Sequence, residues 1–146
     1  MAIFGSIETS ASGLTAERLR MDLISENVAN ANTTRTDNGE PYRRQFPIFM
    51  EREGTQVPPF AGGTSGGGEG KGVRVLAIGN DPSPFKKVHD PSHPDADEKG
   101  YVSLPNVNVI REMVDLITAS RAYEANITVL NSAKGMMTKA IEIGRG

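Results

Sequence analysis

The chain has 146 residues, a net charge of −2 and a hydrophobic share of 37%, with aromatics at 5% and no Trp. That length holds one domain, or one small domain with an extended helical element, and so few bulky apolar groups leave little for a thick private core. The 16 basic and 18 acidic residues are spread without a phosphate-binding patch, which argues against nucleic acid, and the lack of cysteine excludes disulfides and thiolate sites.

No apolar run is long enough for a membrane span. Met1-Ala2-Ile3-Phe4-Gly5 has neither a basic n-region nor an apolar h-region, so no cleaved secretory signal is visible. These features point to the cytoplasm, or to export by a route that needs no such signal.

The first element is a helix from about Ile3 to Ala31. Alternate steps of four and three residues from Ile3 reach Ile7, Ser10, Leu14, Glu17, Met21, Ile24, Val28 and Ala31, and seven of these nine positions are apolar. A repeat averaging about 3.5 residues marks the seam of helices that wind around each other. Leu14 to Met21 is rich in helix formers, whereas Gly13 either weakens the helix or permits another helix to approach closely. Asn30-Ala31-Asn32-Thr33-Thr34 ends it, because Asn tolerates left-handed backbone and both side-chain types compete for backbone hydrogen bonds.

From Thr34 to Pro105 the pattern changes. Asp37-Asn38-Gly39-Glu40-Pro41 is a turn built on Asn-Gly. Tyr42 to Met50 reads as a strand that Pro47 confines to an edge or bends. Seven of the twelve residues from Ala61 to Gly72 are Gly, the composition of a loop. Val73 to Ile78, Phe85 to His89 and Gly100 to Leu104 are further strand candidates, enough for a small sheet or an extended hairpin.

Asn108 is the expected N-cap of a second helix, which runs to about Ile143 and stops before Gly144 as its C′ residue. The same stepping from Val109 reaches Met113, Leu116, Ser120, Tyr123, Ile127, Leu130, Lys134, Met137 and Ile141, with eight of ten apolar. The expected fold is therefore mainly α with a small β region. Residues 1–33 and 106–146 form long helices paired as a coiled coil in one core domain, and 34–105 is a short-stranded β/loop middle segment containing the Gly-rich loop 61–72. The expected assembly seam is Ile7, Leu14, Met21, Ile24, Val28, Met113, Leu116, Tyr123, Ile127, Leu130, Met137 and Ile141. The polar seam positions Ser10, Glu17, Ser120 and Lys134 read as imperfect heptads with those side chains at the margin.

Motifs that carry chemistry are absent or incomplete. A phosphate loop around Gly70-Lys71 would need Gly at position 65 and Ser or Thr at 72, which hold Ser65 and Gly72. His89 through Asp97 offers metal-binding side chains, but no further His or Cys completes a transition-metal shell, so a Pro- and Asp-rich turn is expected. No nucleophile and base stand in a recognisable arrangement. No catalytic, cofactor or metal residue is assigned. Asn32-Thr33-Thr34 and Asn126-Ile127-Thr128 match the glycosylation triplet by chance, one closing a helix and the other within one.

Several stretches add a resemblance. Ser10-Ala11-Ser12-Gly13-Leu14-Thr15-Ala16 and Arg18 through Thr33 closely resemble the N-terminal signature of the bacterial flagellar rod and hook proteins. Gly39 to Arg44, Asp90 to Asp97, Gly100-Tyr101-Val102 and Pro105 to Asn108 are similar to the proximal-rod members of that family. So are Glu112-Met113-Val114, Ser120 to Asn126 and Leu130 to Lys134. The resemblance implies a non-enzymatic structural subunit of the flagellar basal body, in the periplasmic rod and exported by the flagellar type III apparatus without signal cleavage. It implies as neighbours other copies of the chain, the rod proteins FlgB, FlgF and FlgG, and the adaptor FliE. A soluble coiled-coil adaptor that closes into a small oligomer is the competing architecture.

Overall fold

A computed structural model describes residues 2–52 and 72–145, so most of the Gly-rich loop 61–72 lies outside the described residues. The elements in chain order are α1 (Ala2–Ala29), β1 (Gln45–Glu51), β2 (Val73–Asn80), β3 (Lys86–His89), β4 (Tyr101–Leu104) and α2 (Val109–Arg145). This is the mainly helical chain with a small β region that the sequence predicts.

The two helices pack against each other. Asn27 meets Glu112 and Gly13 meets Asn126, so the helices run antiparallel, with fourteen residues along each between the two contacts. Their shared core is thin: three alanines, Ala16, Ala119 and Ala133, are buried with Leu23 and Ile24. A Cβ on Gly13 would lie 3.0 Å from Asn126 Nδ2, so of the two sequence readings of this glycine it serves close helix approach.

The helix ends are set locally. Asn108 is the N-cap of α2, its Oδ1 accepting from the Arg111 N–H at 3.2 Å. At the end of α1, Asn30 Nδ2 donates to the Glu26 carbonyl and the chain leaves through short backbone turns. No described non-glycine residue has a positive φ, so Asn ends this helix by side-chain bonding rather than left-handed backbone. The helix α2 continues through Gly144 to Arg145, beyond the expected stop. With no strained backbone there, Gly144 extends the helix instead of capping it.

The strands form two separate two-stranded antiparallel sheets, β1-β2 and β3-β4, rather than one. Pro47 sits in β1, which among the described residues has β2 alone as neighbour, so its missing N–H interrupts no second ladder there. Leu76 is skipped in the register between Ile48↔Ala77 and Phe49↔Val75, a bulge in a pair that packs on α1. In the turn before β1, Gly39 takes φ 78°, its N–H donates to the Thr36 carbonyl, and the Thr36 N–H donates to the Glu40 carbonyl.

Candidate functional site: the helix pair and its polar junction

The helix pair brings part of the predicted seam together and turns part of it away. On α1, Ile24 is buried, and Ile7, Leu14, Met21 and Val28 are half-buried. On α2, Leu116, Tyr123, Leu130 and Met137 are half-buried, while Met113, Ile127 and Ile141 are exposed. The sheltered line of α2 runs Glu112, Leu116, Ala119, Tyr123, Asn126, Leu130, Ala133 and Met137, each buried or half-buried. That line keeps steps of four and three but moves every second position back by one residue. Apolar character alone favours Met113 and Ile127 over Glu112 and Asn126, which explains the difference in phase.

Of the polar seam positions, Ser10 is buried rather than marginal. Glu17 and Ser120 are half-buried and Lys134 is exposed. Glu17 Oε2 is buried and accepts no hydrogen bond from the described residues, with Arg20 as its charge neighbour at 3.7 Å.

The densest chemistry lies where α1 ends and α2 begins. Asn27 and Glu112 have 0% and 1% exposure, the largest fully buried side chains among the described residues. Buried polar groups of this kind persist when their donors and acceptors are met within the protein. Asn27 Nδ2 donates to the Gln45 carbonyl at 2.8 Å and to Glu112 Oε2 at 2.9 Å. Asn27 Oδ1 accepts from the Tyr42 hydroxyl at 3.0 Å and the Gln45 N–H at 2.9 Å. The second oxygen of Glu112 accepts from Arg44 Nε at 2.6 Å, a charge-assisted bond between a buried carboxylate and a half-buried guanidinium.

Around that centre, Arg44 lies 3.6 Å from Asp115 and 3.8 Å from Asp81. The Asn106 side chain accepts from the Arg44 N–H and donates to the Asp81 and Ser83 carbonyls, tying the stretch before β3 to the stretch before α2. Arg43 donates to the same two carbonyls and covers the Phe85 ring at 4.3 Å. Hydrogen bonds from Ser83, then the Arg44 charge, hold the Asp81 carboxyl below its usual pKa. Burial, with the Glu26 and Glu112 carboxylates nearby, pushes the Tyr42 phenol up to about 12.

The Asp- and His-containing turn does structural work. Asp90 Oδ1 accepts from the Ser92 N–H and hydroxyl, and Asp97 Oδ1 from the Lys99 and Tyr101 N–H groups. Thr34 donates to Asp95 at 2.7 Å, and His89 stands edge-on to Tyr101. Among the described residues no three metal-ligating side chains converge.

Sequence reasoning from apolar periodicity misses Asn27, Arg44 and Glu112. The available signal was the alternative phase on α2, in which Ala119 and Ala133 flank the half-buried Tyr123 and Leu130 and place Glu112 at the head of the line.

Residues 7–35 match the family described as "Flagella basal body rod protein", and residues 98–143 match "Flagellar basal body rod FlgEFG protein C-terminal". The chain is 52% identical to the flagellar basal-body rod protein FlgC of Borreliella burgdorferi, with 100% of each chain covered. The chain belongs to the FlgC family of flagellar basal-body rod proteins. It is 46% identical to the Bacillus subtilis FlgC over 99% of this chain and 100% of that one. Against FlgC of Salmonella typhimurium the identity is 37%, again over 99% and 100%. Like the rest of the FlgC family it is a structural rod component of the flagellar basal body, serving motility, and not an enzyme. Among the described residues no helix is long and apolar enough to cross a membrane.

Proposed function

We propose that this rod subunit polymerises through its terminal helices into a hollow shaft that transmits torque and surrounds the export channel in the periplasm. Residues 1–33 and 106–146 act as one core domain, a coiled coil whose leftover faces pack on neighbouring subunits, and 34–105 lies on the outer wall. Its neighbours are further copies, the rod proteins FlgB, FlgF and FlgG, and the adaptor FliE. It reaches them through the flagellar type III export apparatus without a cleaved signal.

One observation carries this reading. After α1 has covered its side of α2, Ile110 is still 77% exposed, and Met113, Val114 and Ile117 stand exposed beside it on the same stretch. Positions separated by three and four residues share one helix face, so these four form a continuous apolar strip. Large apolar strips mark surfaces that a partner covers. A heterologous contact repeated by a screw operation builds an open tube rather than a closed ring.

The test is Ile110→Asp with Ile117→Asp. The monomer should keep its helical circular dichroism, because both side chains already face water, and the subunit should vanish from purified hook–basal bodies, with loss of swimming. Stoichiometric incorporation of the double variant would overturn the helix-face reading. Growth in discrete, closed steps during sedimentation would favour the closed coiled-coil adaptor instead.

A further inference from the structure

The faces that α1 and α2 present to each other are short on shape. Gly13 and Ala16 on α1 meet a line on α2 that contains Ala119 and Ala133, and small side chains in a heptad spacing fit almost as well one repeat along. Van der Waals packing opposes an alignment shifted by seven residues chiefly at one place, where Arg20 would replace Gly13 against Asn126. The junction opposes it as well. A slip of one heptad sets Ala119 where Glu112 meets Asn27, and the buried Asn27 amide loses its carboxylate acceptor. The same slip takes Glu112 away from Arg44.

Both halves of this contact are held by one short stretch of the middle segment. Tyr42 and Gln45 bond Asn27 on α1, and Arg44 bonds Glu112 on α2. Residues 42–45 thus clasp both helices at once, with Asn106 fixing the Arg44 backbone from the far side. A buried polar contact between helices is a known device for selecting register, because every other alignment leaves a donor or acceptor unmet.

We propose that the clasp formed by Asn27, Glu112 and Arg44 is a register lock, which selects a single longitudinal alignment of α1 against α2. It acts on alignment, so its removal shifts the helices past each other without first melting them. The consequence for a rod subunit is a fixed length and a fixed placement of the apolar strip on α2, which slipped subunits would present one repeat out of place.

The absence of cysteine makes the test direct, since two introduced thiols take spin labels and no native thiol competes. Labels go on the exposed positions Asp22 and Thr138 through Asp22→Cys and Thr138→Cys in the full chain. In the observed alignment Asp22 stands level with Ile117, so the labels are about 30 Å apart along the axis, and a one-heptad slip changes that by about 10 Å. The otherwise unchanged chain should give one narrow distance distribution. Asn27→Leu with Glu112→Leu should add a second population displaced by about 10 Å, with helical circular dichroism retained.

A single unshifted peak in that helical double variant overturns the lock, as does a broad distribution in the chain carrying only the labels. Should the double leucine chain lose its helical signal, Glu112→Gln decides. It keeps the side-chain shape and weakens the Arg44 contact, and it should raise the displaced population several-fold. An unchanged distribution in Glu112→Gln also overturns the proposal.

Discussion

The interior of the helix junction and the outer face of α2 are finished in opposite ways. Where α1 stops and α2 starts, Asn27, Tyr42, Arg44, Gln45 and Glu112 meet one another's donors and acceptors, and nothing large and apolar is left over at the centre. At the far end α2 has 37 residues against 28 in α1, and it carries Met136, Ile141 and Ile143 exposed, the last at 81%. The interior of the junction is completed within the chain by directional bonds; the outer face of α2, from the Ile110–Ile117 strip to Ile143, keeps apolar surface that a single chain cannot cover. Hydrogen bonds fix where the helices sit, and unspent hydrophobic area remains available for assembly.

The strongest way to break this contrast is Glu112→Leu. It removes the nearest carboxylate of Arg44 and one of the two acceptors of the Asn27 amide, leaving Asp81, Asp115 and the Gln45 carbonyl, and it should cost about 3 kcal/mol in urea unfolding. Next is Gly13→Leu, whose Cβ meets the Asn126 amide at 3.0 Å, so that side chain must give way between the helices. An overpacked contact of this kind costs about 1–3 kcal/mol and should appear as a lower urea midpoint.

Tyr42→Phe sharpens the account of the junction. It removes one donor to Asn27 and should cost about 1 kcal/mol at neutral pH. The Tyr42 phenol has a pKa raised from 10.0 to about 12 by burial and by Glu26 and Glu112, so the fold favours its neutral form. That stability is fully present below pH 10 and is lost as pH rises from 10 toward 12. Unfolding curves measured across that interval should slope less steeply for Tyr42→Phe than for the parent.

Gly135→Ala probes the opposite end of α2. An added Cβ there meets nothing within 4 Å, so helix propensity should raise stability by about 1 kcal/mol, a sign opposite to that of Gly13→Leu. The smallest change in stability belongs to Ile141→Ser with Ile143→Ser, within about 0.5 kcal/mol because both side chains already face water. Their effect should appear in the yield of subunit recovered in basal bodies. Equal recovery of parent and variant would separate the far end of α2 from the assembly contacts.

The elements were legible because their causes are local. Heptad spacing marks both helices, Asn108 has the chemistry to accept the Arg111 N–H, and Asn38-Gly39 makes a turn from any context. Pro47 demands an edge strand, and β1 is one. The phase of α2 was not legible, because Met113 and Glu112 compete for the same place and apolar scoring prefers the former. Nor was the split into two sheets, since strand propensity does not say which strands meet.

By itself the sequence determined that this chain has long helices at both ends of a short-stranded middle, and its motifs carry the likeness to flagellar rod proteins. Periodicity, caps and turns act within a few residues, so they survive without knowledge of the fold. Only the tertiary structure decided which side of α2 faces α1 and how Asn27, Tyr42, Arg44 and Glu112 come together. Glu112 lies 85 residues from Asn27, and it can be buried as a charge because folding brings an amide and a guanidinium to its two oxygens.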